Sequence, residues 1–227
     1  MVVTGGTGAL GQAVVGELLE AGWRVVATWV VAAERDRAQE AFGDEAKLEL
    51  AEANLSTDDG ADGAIATAGA GLRAVVNLVG GFAAGGRAHE APPDELAQML
   101  ELNLMTAYRM TRAALPALLE GGGGSLVYVG TKAALEPFPG GGAYAVSKSA
   151  LLTLVRSLAV EYREEGIRAN AVVPNIMDTP ANREQMPDAD HSTWVPPAEV
   201  ARVISFLCSG DPAPVSGAAV PVYGRAG

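Results

Sequence analysis

Short β-branched runs alternate along the chain with longer stretches in which apolar residues recur every three or four positions. The short runs predict strands at Met1–Thr4, Arg24–Trp29, Lys47–Leu50, Ala74–Val79, Ser125–Gly130, Arg168–Val173 and Ala218–Val222. The longer stretches predict helices at Leu10–Ala21, Ala33–Phe42, Asp58–Ala68, Asp94–Leu119, Ala143–Glu165 and Pro197–Ser209. This alternation reads as repeated βαβ units, which build a parallel sheet with helices packed on it. No internal repeat and no dividing linker appears, so residues 1–227 are expected to form a single domain.

Three irregular stretches interrupt the pattern. Gly121–Gly124 predicts a flexible turn, and Gly80–Pro93 is rich in small residues. Pro174–Pro197 is long, polar and punctuated by proline, the character of a substrate lid at about residues 175–197. The first strand begins almost at Met1, so a few residues are expected upstream of Met1.

Charge and composition narrow the partners. A net charge of −11 and an isoelectric point near 4.6 disfavour nucleic acid and anionic membranes. No stretch is expected to reach the length of a membrane-spanning helix, and no leader-like start is evident. Cys208 is the single cysteine, which excludes an intrachain disulfide and suits a cytoplasmic location. His89 and His191 lack ligand-like spacing, so no metal site is expected.

The first strand–helix junction, Val2-Val3-Thr4-Gly5-Gly6-Thr7-Gly8-Ala9-Leu10-Gly11, carries the strongest binding signal. Glycines there permit a tight turn and let backbone amides approach a pyrophosphate at the helix N-terminus. Downstream, Tyr144 and Lys148 are four residues apart, so on a helix they share one face. An ammonium beside a phenol favours the phenolate, and such a pair can exchange a proton with an alcohol or carbonyl.

With these two motifs the chain resembles the short-chain dehydrogenase/reductase family along essentially its whole length. The resemblance implies a Rossmann-like, doubly wound three-layer αβα sandwich on a mostly parallel seven-stranded sheet. It implies an NAD(P)-dependent oxidoreductase, with Gly5, Thr7, Gly8, Ala9, Leu10 and Gly11 cradling the cofactor. Compact members usually have glycine where Ala9 stands. Asn54 and Leu55 occupy the segment that frames the adenine, with Asn54 in place of Asp, and Asn77 and Gly80 match the segment ending strand four. Pro174, Ile176 and Thr179 fall where the family contacts the nicotinamide, with Asn175 replacing a glycine. Strand two ends in Thr28-Trp29-Val30 with no acid for the ribose, which leans towards NADP, and Trp29 is placed to flank the adenine.

The same resemblance completes a catalytic set. Thr131 stands where the family has a serine that hydrogen-bonds the substrate oxygen, and its hydroxyl offers the same donor and acceptor. Asn103, on an apolar stripe with Leu96, Met99, Leu100, Ala107, Met110 and Ala114, matches the Asn that anchors a water leading to the Lys. Lys148 is expected to hold the nicotinamide ribose and to lower the Tyr144 pKa, while Tyr144 exchanges the substrate proton. The implied substrate is a small carbonyl or alcohol, and the implied assembly is a homotetramer or dimer.

One alternative comes from the loops. Lys132–Leu135, Gly80-Gly81-Phe82 and the lid from Asp178 to Trp194 are similar to dihydropteridine reductases, which implies pterin reduction. Those enzymes generally lack the active-site serine and the helical Asn, whereas this chain has Thr131 and Asn103. Arg183, His191, Trp194 and Phe82 are candidates to touch substrate. A nucleotide-binding sensor or scaffold without turnover is the reading from another class.

Overall fold

The computed structural model describes residues 1–210 and 214–225. Its strands are β1 (Val2–Thr4), β2 (Val25–Trp29), β3 (Leu48–Glu52), β4 (Ala74–Asn77), β5 (Gly124–Val129), β6 (Ile167–Pro174) and β7 (Ala219–Val222). They form one seven-stranded sheet in the order β3-β2-β1-β4-β5-β6-β7, and every neighbouring pair is parallel. The interior strands are Val- and Ala-rich because both their faces are covered. The edge strand β3 is half-exposed instead, and Pro221 is confined to the other edge, β7.

The helices are α1 (Ala9–Glu20), α2 (Ala32–Phe42), α3 (Asp58–Ala68), α4 (Glu95–Leu100), α5 (Thr106–Glu120), α6 (Gly142–Glu161), α7 (Pro180–Gln185) and α8 (Pro197–Cys208). On one face of the sheet, Ala61 and Ala64 of α3, Met110 and Leu118 of α5, and Leu151 and Leu158 of α6 pack against Val2, Val75 and Leu126. On the other, Val14 and Leu18 of α1 and Val200 and Ile204 of α8 pack against Val3, Val76 and Val127. The strand order reverses between β1 and β4, which opens a crevice at the carboxyl ends of these two strands.

Three expectations are corrected. The helix predicted from Asp94 to Leu119 is broken by a π-helical turn over Glu101–Met105, which separates α4 from α5 and contains Asn103. A π-turn inserts an extra residue and shifts the phase of the turns before it. Leu96, assigned to the buried stripe by a constant period, is accordingly exposed. The helix expected to reach Glu165 ends at Glu161, and residues 162–165 turn towards β6.

The third correction concerns length. α6 has 20 residues and a mean hydropathy of 1.2, long and apolar enough by those measures to cross a membrane. Its apolar character has a local cause, because Leu151, Leu152, Val155 and Leu158 are buried in the core against the sheet. The segment from Pro174 to Pro197 also has more structure than a loop. Met177 bridges to Val195 in parallel, and α7 and a 3₁₀ turn (His191–Thr193) lie between them.

Candidate active site

The turn after β1 is dictated by backbone proximity. Gly5 has a φ of +61°, a left-handed value that favours glycine. A Cβ on Gly6 would stand 2.6 Å from the Ala27 Cβ, and one on Gly11 would stand 2.3 Å from the Gly5 carbonyl oxygen. Gly6 and Gly11 are therefore glycine because β2 and the turn itself lie against their α-carbons. Gly8 is freer, since a Cβ there meets only the Gly5 oxygen at 3.5 Å. Ala9 occupies the first turn of α1 exposed, and Leu10 is half-buried.

Two threonines hold this turn in place. Thr28 Oγ1 accepts from the Gly5 N–H at 3.1 Å, and the Thr28 carbonyl accepts from Gly6 at 3.0 Å. Thr4 Oγ1 accepts from the Leu78 N–H at 3.0 Å, tying β1 to the segment after β4. At this junction the buried Thr7 Oγ1 and both side-chain polar atoms of Asn77 have no protein partner. Buried polar atoms without partners are rare in proteins, and these lie where α1 begins and β4 ends. Glycine-lined backbone, a helix N-terminus and unsatisfied donors and acceptors together fit a dinucleotide.

The ends of β2 and β3 are less uniform. Trp29 is half-buried, and the Arg35 guanidinium lies over its ring at 4.9 Å while also donating to Asp36 at 2.9 Å. Arg35 thus reaches back from α2 to the end of β2, although the sequence pattern alone puts it a turn away. Asn54 is exposed, and its Oδ1 caps its own turn by accepting from Ser56 at 3.0 Å. The Leu55 side chain is in the core, so only its backbone is available to a ligand.

The second cluster joins β4, the π-turn, β5 and α6. Asn103 is fully buried, and its amide is completely engaged. Oδ1 accepts from Gly81 at 2.9 Å, while Nδ2 donates to the Gly81 carbonyl at 3.1 Å and to Ser147 Oγ at 3.0 Å. Ser147 Oγ in turn donates to the Tyr144 carbonyl at 2.8 Å. Asn103 therefore clips the loop after β4 to the first turns of α6. Gly80 is pressed between the two, because a Cβ there would stand 2.7 Å from Asn103 Oδ1 and 3.1 Å from Lys148 Nζ.

Tyr144 and Lys148 lie on one face of α6, as their spacing predicts, and the Thr131 side chain is near enough to the Tyr144 phenol to lower its pKa. Thr131 also caps a short 3₁₀ turn by accepting from Ala133. Burial raises the Tyr144 phenol above its ordinary range, and the nearby Thr131 side chain works against that shift. This corrects the expectation that Lys148 depresses Tyr144. Lys148 Nζ donates to the Val129 carbonyl at 2.9 Å, and burial pushes its own pKa down to about 8. One of its three donors is used, which leaves two for a ligand.

Residues of the Pro174–Pro197 segment are mostly committed to contacts within it. Thr179 is buried and caps α7 by accepting from Asn182 at 3.3 Å. Pro174 is buried at the end of β6, whereas Ile176 is 40% exposed. Arg183 is paired with Asp178 at 2.9 Å, and His191 packs 4.3 Å from Trp194. Phe82 differs: it is 56% exposed, with its ring edge-on to Tyr144 at 5.0 Å.

Sequence reasoning missed four contributors: Thr4, Thr28, Ser147 and Phe138. Ser147 was within reach, because a residue three positions after Tyr144 shares its helix face. Among the described residues, no group of three His, Cys, Asp or Glu side chains is placed to hold a metal ion.

A parallel doubly wound sheet with a glycine turn at its switch point, beside a Tyr–Lys helix face, defines a nucleotide-binding oxidoreductase architecture. The chain belongs to the short-chain dehydrogenase family, whose family model matches residues 1–190. It is 34% identical over 145 residues to dehydrogenase/reductase SDR family member 4 of Bos taurus, covering 60% of this chain and 52% of that protein. The match spans about half the length of the first of its curated relatives. It is 30% identical to 2-(R)-hydroxypropyl-CoM dehydrogenase of Xanthobacter autotrophicus, over 98% of this chain and 96% of that one. The solved structure of ElxO with NADP bound has the same fold, with a TM-score of 0.91 at 22% identity, over 99% and 97% of the two chains.

Proposed function

We propose that the chain is an NADP(H)-dependent oxidoreductase acting on a small carbonyl or alcohol, with Tyr144 exchanging the substrate proton. The observation that carries this reading is Tyr144, with the Thr131 side chain beside its phenol, on the same helix face as the buried Lys148. When bound, the nicotinamide supplies or accepts the hydride. In the reducing direction Thr131 holds the carbonyl oxygen, and Tyr144 Oη gives it a proton. A phenol raised by burial stays protonated across neutral pH, so it is a ready donor for reduction. Lys148 has two free donors for the cofactor ribose, and a group titrating near pH 8 can resupply a proton to Tyr144.

Gly5, Thr7, Gly8, Ala9, Leu10 and Gly11 would hold the pyrophosphate, with Asn77 and Gly80 alongside. Pro174, Ile176 and Thr179 would meet the nicotinamide side. Arg35 over Trp29 supports NADP, because a guanidinium there suits a ribose phosphate and no acid opposes it from β2. The Asn103 amide has no free donor for a water relay, so any water it holds would be held through its backbone.

The Pro174–Pro197 segment is the substrate lid of this reading. A cytoplasmic homo-oligomer, dimer or tetramer, completes it, seated on α5 and α6 where Tyr108, Leu119, Val146 and Val160 are exposed. The test is oxidation of NADPH and NADH, separately, with a panel of aldehydes and ketones and with quinonoid dihydropterin. Carbonyl-dependent oxidation, faster with NADPH, is expected. Tight cofactor binding with no turnover on any substrate would favour a sensor, and turnover of the pterin alone would favour pterin reduction.

A further inference from the structure

The loops after β4 and β5 bring two exposed aromatic rings to the proposed proton donor. Phe82 and Phe138 are 56% and 40% exposed, yet their rings stack with centroids 6.3 Å apart at 27°. Phe82 meets the Tyr144 ring edge-on at 5.0 Å and 78°. The arrangement is braced by backbone, since the Gly85 N–H donates to the Gly140 carbonyl at 3.1 Å and joins the two loops. Phe138 also lies against Gly141, where a Cβ would stand 2.5 Å from its Cζ.

The two exposed rings beside the half-buried Tyr144 form an apolar patch next to the proposed proton donor. Polar anchoring is scarce around them. Lys132 is paired with Glu136 at 3.6 Å and lies over the Tyr223 ring at 5.1 Å, and Arg183 is held by Asp178. The net charge of −11 further disfavours an anionic substrate.

We infer that Phe82 and Phe138 form an aromatic rim that selects carbonyl substrates bearing an uncharged planar ring, which stacks on the rim while its carbonyl reaches Tyr144. This rests on the oxidoreductase reading above, but its test does not require turnover. Isothermal calorimetry on the NADP⁺-saturated protein compares 2-acetonaphthone, an aryl ketone, with 2-octanone, an alkyl one. The aryl ketone is expected to bind about five- to tenfold more tightly. Phe82→Leu with Phe138→Leu keeps the rim apolar but removes its π-faces, and should bring the aryl-to-alkyl ratio close to one.

A wild-type ratio near one, equal losses for both ketones in the double variant, or no binding of the aryl ketone would overturn the inference. Ring-dependent binding, with no oxidation of NADPH or NADH by any substrate of the panel above, would support the rim while sinking the oxidoreductase reading. A third probe, 4-carboxybenzaldehyde, binding more tightly than benzaldehyde would also overturn it, because the selected ring is uncharged.

Discussion

The two halves of the crevice are built by different means. On the cofactor side, at the ends of β1 and β2, shape is set by backbone: Gly6 and Gly11 are glycine because a methyl group would overlap Ala27 or the Gly5 carbonyl. On the substrate side, at the ends of β4 and β5, shape is set by side chains from distant segments, such as Phe82, Phe138 and Tyr144. In the first half, Gly6 and Gly11 leave no room for a side chain. The second is exposed and open to substitution, which is where a shared scaffold acquires its own substrate.

The largest expected effect lies on the backbone side. Gly11→Val should abolish cofactor binding by calorimetry and destabilise the fold by about 3 kcal/mol or more, because an added side chain meets the turn itself. Gly8→Ala should lose far less, since its Cβ meets ordinary van der Waals distance. Equal losses would erase the distinction between a backbone-determined cradle and one that merely collects glycine.

Next comes Lys148. Its pKa is about 8 in the folded protein against 10.5 as the ordinary value, so the unfolded chain holds the proton more tightly. The resulting penalty is full below pH 8 and fades as pH rises towards 10.5. Lys148→Met should therefore be more stable than wild type at pH 7 by up to about 3 kcal/mol, with the gap closing at high pH. Chemical denaturation at several pH values checks this, and a constant gap would contradict it.

Ser147→Ala should have a middling effect. It removes one of the acceptors of a fully buried Asn103 and the link to Tyr144, at a cost of about 1–3 kcal/mol in unfolding free energy. Ser147→Thr, which keeps the hydroxyl, should restore kcat more than stability if the link positions Tyr144. The smallest effect is expected at the open edge of the cradle. Arg35→Ala should reduce the NADPH-to-NADH ratio of kcat/KM by about tenfold, the loss of one charge-assisted contact, with little change in thermal midpoint.

The same contrast explains what could be read from the sequence. All seven strands and the parallel architecture were legible, because βαβ alternation is written in periodicity. The glycine turn was legible because its residue types follow from local backbone geometry. The π-turn at Asn103 was not, because a constant helical period hides one inserted residue. Neither the Phe82–Phe138 stack nor the return of Arg35 onto Trp29 could be read, since each depends on loop paths that bring distant side chains together. The direction of the Tyr144 shift was hidden for a related reason: spacing gives the shared face but not the burial that turns both groups away from charge.

The central claim is that Tyr144 moves the substrate proton while the glycine cradle independently holds the cofactor. The direct test is Tyr144→Phe, with kcat/KM for carbonyl reduction and the NADPH dissociation constant measured on the same preparation. The account predicts a fall in kcat/KM of about a hundred- to ten-thousandfold with a far smaller change in NADPH affinity. A variant that reduces carbonyls at the wild-type rate, or that loses rate only in proportion to lost cofactor, would contradict it.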